Sequence, residues 1–344
     1  ADAAPRAPRP PRRPWAHGEP RFEVLGAGMD AESPREPPTL LHTVLGSSLS
    51  GLVSRSICHP VDTVKSRLQG ADGLRYRGIV HCFQQTLATE GIPGLYRGFG
   101  AVATLGTPAA CLYLTAYELM KRSLGADGSE LAFLGHLTAG MGAEAVACLL
   151  FVPVDVVKER LQVQRSDLAS CGASAPFNAS APPTYSGSLN AVRVISRTEG
   201  LMGLYKGYYA TVASFGPFSA LYFAFYEQFR EVVAVATGAP DKASLSASGT
   251  LTASASAGAV AAVMTSPLDL AKLRLQTQRR LAPGEPVPDG HLGGLFDAMR
   301  AVFREGGVRA LFRGVGARVA FQTPSLCITF TTFEECRRLV QAVL

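Results

Sequence analysis

Three times along this chain a proline is followed, at fixed spacing, by an acid, two bases and an amide. The copies are Pro60/Asp62/Lys65/Arg67/Gln69, Pro153/Asp155/Lys158/Arg160/Gln162 and Pro267/Asp269/Lys272/Arg274/Gln276. An acid and a lysine three residues apart lie about one turn apart on a helix, so they share a face. Each copy directly follows an apolar stretch, and charge on a membrane helix is expensive unless it finds a partner facing a watery interior. Three such helices, each offering one acid and one base, can close a ring of inter-helix ion pairs. Hydrolytic or nucleotide chemistry has no comparable support, since the HExxH, Walker and GxSxG patterns are all absent.

The self-similarity continues downstream, and a repeat of this kind has to be recognised before any fold is considered. Each copy is followed by a Glu-Gly pair and an aromatic-base-glycine triplet. These are Glu90-Gly91 with Tyr96-Arg97-Gly98, Glu199-Gly200 with Tyr205-Lys206-Gly207, and Glu305-Gly306 with Phe312-Arg313-Gly314. Twelve residues past the aromatic stands Pro108, Pro217 or Pro324. At 21 and 22 come Tyr117-Glu118, Tyr226-Glu227 and Phe333-Glu334, and at 25 a base, Lys121, Arg230 or Arg337.

The elements that must carry these groups are the stretches free of Asp, Glu, Lys and Arg: Pro37–Ser54, Gly98–Tyr117, Leu131–Ala143, Gly207–Tyr226, Ala243–Leu268 and Val319–Phe333. Several reach the roughly 20 residues needed to cross a bilayer core. Their Thr, Ser, Gly and Tyr content suits helices with one face on lipid and another on a cavity. The whole chain of 344 residues agrees: 17% charged, 47% hydrophobic, a net charge of +6. That excludes a disordered chain, which would be more charged and less apolar. Seven cysteines without a CxxC pair read as small hydrophobes in a reducing compartment rather than disulfides or a zinc site. Residues 1–38 are proline-rich, with Arg6, Arg9, Arg12 and Arg13 near the start, and read as a disordered leader or a targeting peptide. Ser166–Ser186, rich in Ala, Ser and Pro, reads as a flexible loop.

These motifs resemble those of the mitochondrial carrier family over residues 40 to 340. The resemblance implies an all-α protein of the mitochondrial inner membrane. Six transmembrane helices in three pseudo-symmetric repeats (39–127, 128–236 and 237–344) would surround a central cavity. Kinks are expected at Pro60, Pro153 and Pro267. Short amphipathic matrix helices would run over about Gly78–Glu90, Gly187–Glu199 and Leu292–Glu305. A matrix-side gate would pair Asp62–Lys158, Asp155–Lys272 and Asp269–Lys65, braced by Gln69, Gln162 and Gln276. A cytosolic gate would pair Glu118–Arg230, Glu227–Arg337 and Glu334–Lys121, braced by the hydroxyls of Tyr117 and Tyr226, whereas Phe333 has none. The matrix gate is therefore expected to be the stronger. Two gates around one site give alternating access, with bound solute offsetting the cost of opening each.

Carried over from the family, the substrate contacts are Leu105-Gly106, Ser214-Phe215 and Phe321-Gln322, none of them charged. Further candidates are Arg55, Glu144 and Arg318. Arg55 lies five before Pro60 and Glu144 nine before Pro153, where Gly51 and Gly258 hold the equivalent places. Arg55 would hold a negative group, Glu144 a positive one, and Ser214 and Gln322 would hydrogen-bond between them. The expected activity is transport of a small zwitterionic or anionic metabolite, with no enzyme chemistry, resident cofactor, bound metal or nucleic-acid partner. A monomer is expected, with the bilayer as partner and cardiolipin a candidate at the matrix helices. Local phrases such as Gly314-Val-Gly-Ala-Arg318 also resemble mitoferrins and S-adenosylmethionine carriers, so an iron or S-adenosylmethionine cargo is the alternative. A non-transporting receptor or a proton-leak protein is a further alternative, disfavoured by the complete motifs. The histidines of an iron carrier are missing, with Arg55 and Ala110 at their places. His59, His81, His136 and His291 fall at helix ends or loops and read as polar surface, and Cys148 reads as packing.

Overall fold

The computed structural model describes residues 40–70, 73, 75–123, 132–164, 185–241, 244–279 and 291–343, with some side chains inside those ranges left aside. The leader and nearly all of the Ser166–Ser186 tract lie outside them. The regular elements among the described residues are all helices, with no strand. The first repeat gives α1 (Leu40–Gln69), α2 (Ile79–Leu95) and α3 (Phe99–Ser123). The second gives α4 (Ala132–Val163), α5 (Ser188–Thr198) and α6 (Tyr208–Thr237). The third gives α7 (Ala247–Met264), α8 (Ser266–Thr277), α9 (Leu295–Leu311) and α10 (Val315–Val343).

The long elements pack in a closed order. α1 meets α3, α3 meets α4, α4 meets α6, α6 meets α7, α7 meets α10, and α10 returns to α1. Helices of 25 to 32 residues exceed the ~20 that cross a bilayer core, so they span with tilt. Taken singly and among the described residues, only Thr138–Val163 and Ala247–Met264 are long and apolar enough to read as spans. The other helices carry polar residues that face protein. Ser54 Oγ, for example, donates to the Ser325 carbonyl at 2.9 Å and Ser50 Oγ to that of Thr329 at 2.9 Å, joining α1 to α10.

The motif prolines differ in effect. Proline removes one amide donor and crowds the preceding turn. α1 and α4 nevertheless run unbroken through Pro60 and Pro153. Before Pro267 the helix is interrupted: α7 ends at Met264, Thr265 stands between, and α8 starts with its proline in the first turn, where no amide is needed. The helix is thus continuous through two of the motif prolines and interrupted just before the third.

The matrix helices bury residues four apart, as an amphipathic helix must. The pairs are Cys82/Thr86, Ala191/Ile195 and Ala298/Val302. In each case they lie fourteen and ten residues before the motif aromatic. Burial pushes the Cys82 thiol up to about 11, so it stays protonated and inert at neutral pH. Cys58, Cys82, Cys111 and Cys148 form no disulfide. The left-handed glycine after the glutamate is Gly91, Gly200 and Gly307, each five residues before the aromatic. The third repeat is therefore shifted against its sequence pattern. Gly306 holds the place of Glu90 and Glu199, and Glu305 sits one residue early.

Candidate functional site

The structure brings the three motif acids and three motif lysines onto one floor. Lys158 Nζ lies 2.7 Å from Asp62 Oδ2, Lys272 Nζ 2.9 Å from Asp155 Oδ2, and Lys65 Nζ 2.8 Å from Asp269 Oδ2. Each bridge joins the motif helix of one repeat (α1, α4 or α8) to that of another. Above the floor is a cavity of about 200 Å³, lined by the six ring residues with Arg55, His59, Glu159, Val102, Leu273, Gln276 and Phe321. Arg55 is exposed to this space and makes no ion pair among the described residues.

The three glutamines are equivalent in sequence but not in contacts. Gln162 Nε2 donates to Asp62 Oδ2 at 3.4 Å and to Thr63 Oγ1 at 3.1 Å, so it reaches the ring. Gln276 Nε2 donates instead to Thr211 Oγ1 at 3.4 Å, and the buried Gln69 amide has no side-chain partner among the described residues. In this conformation one glutamine braces the ring and two do not.

Outside the ring runs a second threefold arrangement, whose residues the sequence pattern marks in every copy without indicating a role. Each motif arginine forks onto the glutamate of its own matrix helix: Arg67 onto Glu90 at 2.8 Å twice, Arg160 onto Glu199, and Arg274 onto Glu305 at 3.1 Å twice. The same arginine donates Nε to the glutamine carbonyl of the next repeat: Arg67 to Gln162 at 3.0 Å, Arg160 to Gln276 at 3.0 Å, Arg274 to Gln69 at 3.1 Å. A planar guanidinium suits this because it presents five donors in a fixed fork. The base of the aromatic-base-glycine triplet also reaches the next repeat. Arg97 donates to the Gln164 carbonyl at 3.1 Å and Lys206 to that of Arg279 at 2.8 Å, at helix C-termini where cations are favoured.

The triplet glycine is dictated by both backbone and space. Gly98, Gly207 and Gly314 have φ of 81°, 82° and 76°. A Cβ there would meet Lys158 backbone at 3.0 Å, Gln276 Cγ at 2.9 Å and Gln69 Cγ at 2.9 Å, again on the next repeat. Only glycine allows both.

The substrate candidates disperse. Of the six contact residues carried over from the family, only Phe321 lines the cavity. Ser214 Oγ donates to the Ala210 carbonyl at 2.6 Å on its own helix, and Phe215 meets Tyr113 edge-on at 6.3 Å. Leu105 is exposed, and Gly106 and Gln322 are half-buried. Glu144 does not line the cavity; it is half-buried and accepts from Cys148 Sγ at 3.5 Å. Arg318 is engaged: its Nε lies 3.5 Å from Asp269 Oδ2, it donates to the Ala262 carbonyl at 3.0 Å, and it sits over the Phe218 ring. At the other end, Arg230 lies 3.6 Å from Glu227 on the same helix. Tyr117 stacks on Tyr113 at 6.3 Å and Tyr226 on Tyr222 at 5.8 Å. The side chains of Glu118, Lys121, Phe333, Glu334 and Arg337 lie outside the described residues.

Two cavity residues carry a different meaning from their sequence reading, or had none. His59 is not surface. It is buried, with Nε2 at 3.1 Å from the Arg97 carbonyl and its ring against Tyr96 and Phe99. Glu159, which follows the second motif lysine, was signalled only by standing where the other copies have Ser66 and Leu273.

Membrane-length helices that turn their charges onto a common internal floor define a multi-pass membrane protein organised around a polar cavity. The sequence profile described as "Mitochondrial carrier protein" matches residues 36–128, 129–235 and 243–343. The chain is 32% identical over 316 residues to mitochondrial substrate carrier family protein E of Dictyostelium discoideum, covering 90% of this chain and 99% of that one. Human mitoferrin-2 is 32% identical over 339 residues, 96% of this chain and 84% of its own. Mouse mitochondrial glutamate carrier 2 is 34% identical over 249 residues, 69% of this chain and 76% of its own. The chain belongs to the mitochondrial carrier family, and is a multi-pass transporter of the mitochondrial inner membrane rather than an enzyme.

Proposed function

We propose that this carrier moves a small zwitterionic or anionic metabolite by alternating access, with the floor of three ion pairs as its matrix-side gate. One observation carries the reading: Arg55, with no ion pair among the described residues, opens onto a polar cavity whose floor is closed by the ring. Such an arginine can fork onto a carboxylate or phosphate. The closed floor corresponds to a state open to the opposite side. There Glu118, Glu227 and Glu334 would pair with Arg230, Arg337 and Lys121 once the floor opens, with Tyr117 and Tyr226 as braces. Leu105, Gly106, Ser214, Phe215, Phe321 and Gln322 remain the tier read as substrate contacts on the even helices, with Glu144 and Arg318 as the charged candidates beside them.

The monomer is the proposed working unit. Cardiolipin is the proposed lipid at the starts of α2, α5 and α9, whose glycine N-caps supply no side-chain acceptor for the first amides. A metal or S-adenosylmethionine cargo is the second reading, favoured by the mitoferrin relative. Among the described residues no three His, Cys, Asp or Glu side chains group as a metal site.

The test is reconstitution in liposomes with a panel of labelled amino acids, carboxylates, nucleotides, Fe²⁺ and S-adenosylmethionine. Arg55→Ala should lower uptake of the transported solute by about tenfold or more, the worth of a charge-assisted pair. Arg55→Lys should recover part of it, because an ammonium lacks the fork. Uptake unaffected by both substitutions would remove Arg55 from the site.

A further inference from the structure

The position after each motif lysine is Ser66, Glu159 and Leu273, so only the second repeat adds a charge there. Glu159 is 6% exposed and lines the cavity beside the ring. Its Oε1 lies 3.2 Å from Lys158 Nζ, which already holds Asp62 at 2.7 Å. Its Oε2 is buried and has no hydrogen-bond partner among the described residues. A buried carboxylate oxygen left unpaired is costly, and such an atom in a native structure calls for an explanation. The ring itself supplies none. Its three lysines each have an aspartate, and the further arginine, Arg318, lies against Asp269. The second corner therefore carries surplus negative charge, while Arg55 offers positive charge in the same cavity.

We propose that Glu159 is the cation subsite of this carrier. It receives an organic cationic group of the substrate (an ammonium, guanidinium or sulfonium) while Arg55 holds the anionic group. This rests on the transport reading above and narrows its solute class to zwitterions. The same contact links binding to gating. Lys158 shares two carboxylates in the closed floor, and a substrate cation that takes Glu159 leaves it with Asp62 alone, loosening that corner. A bare divalent ion suits the position poorly, because the Lys158 ammonium stands 3.2 Å away and the other carboxylates lining the cavity, Asp62, Asp155 and Asp269, are each paired with a lysine.

The experiment compares wild type with Glu159→Gln, which keeps an acceptor for Lys158, and with Glu159→Ser, the residue the first repeat holds at this place. Each is reconstituted in liposomes and given labelled L-glutamate, L-ornithine and S-adenosylmethionine, against 2-oxoglutarate and glutarate as probes without a cationic group. Melting temperatures without ligand report whether the variants fold. Wild type should take up at least one cationic-group probe about tenfold better than the amine-free acids, and both variants should lose that preference, as expected for one charge-assisted contact. Equal or better wild-type uptake of the amine-free acids overturns the proposal while leaving the transport reading intact. So does an unchanged preference in either folded variant. If wild type takes up none of the probes, the reading of this cavity as a small-metabolite site falls, and the subsite falls with it.

Discussion

Repeats two and three carry the same motif in different surroundings. In repeat two the proline lies inside an unbroken helix, Lys158 touches two carboxylates, and the Arg160–Glu199 clamp is 4% and 0% exposed. In repeat three the helix breaks at Thr265, Lys272 touches Asp155 alone, and the Arg274–Glu305 clamp is 11% and 36% exposed. The cause of the last difference is a single inserted residue. Gly307, not Gly306, takes the left-handed turn, so Glu305 reaches its arginine from one position too early. Identical motifs fix which groups meet. The backbone register fixes how dry the meeting is, and an ion pair's contribution depends on that far more than on its presence.

The largest effect expected is on transport. Asp155→Lys sets two like charges against each other and should lower uptake at least about a hundredfold, with Lys272→Asp restoring part of it, as coupled pairs do in a double-mutant cycle. The same exchange at Asp62 and Lys158 should restore less. An aspartate at 158 would face Glu159, which ion-pairs with the lysine now there, whereas among the described residues the only ion pair of Lys272 is with Asp155. Equal rescue at the two corners would show that Glu159 does not distinguish them.

Next in size is stability. Arg160→Ala strands Glu199 in the interior and should cost about 3–5 kcal/mol, read as a fall in thermal unfolding temperature in detergent. Arg274→Ala, with a partner more than a third exposed, should cost less, about 1 kcal/mol. Comparable losses would mean that the register shift has no energetic consequence.

The smallest effect would sharpen the comparison by repairing the register. Glu305→Ala with Gly306→Glu moves the acid to the place it holds in the other repeats. A gain of about 0.5–1.5 kcal/mol over Glu305→Ala alone is expected, the range of one added hydrogen-bonded contact. The gain is held down because a side chain at 306 meets Ala310 at 3.3 Å. No gain would show that Arg274 cannot close on an acid in register.

The sequence by itself determined the threefold repeat, the charge-free segments and the possibility of a ring of three acids and three lysines, because these follow from spacing and from the cost of unpaired charge in a membrane; which acid meets which lysine was implied by the family resemblance alone. Its motif residues are filled in every copy, so the pattern is legible without coordinates. It also contained the arginine–glutamate clamp in plain view, but spacing alone cannot say which side chain an arginine will fork onto. Only the tertiary structure decided that Gln162 reaches the ring while Gln69 and Gln276 do not, that Ser214 bonds its own helix, and that Arg318 is held by Asp269. It also decided that Glu159, not Glu144, lines the cavity floor, and that the third repeat runs one residue out of register. These depend on helix rotation and on breaks in the backbone, which are settled by packing against neighbouring repeats. A pattern read along one repeat does not contain that information.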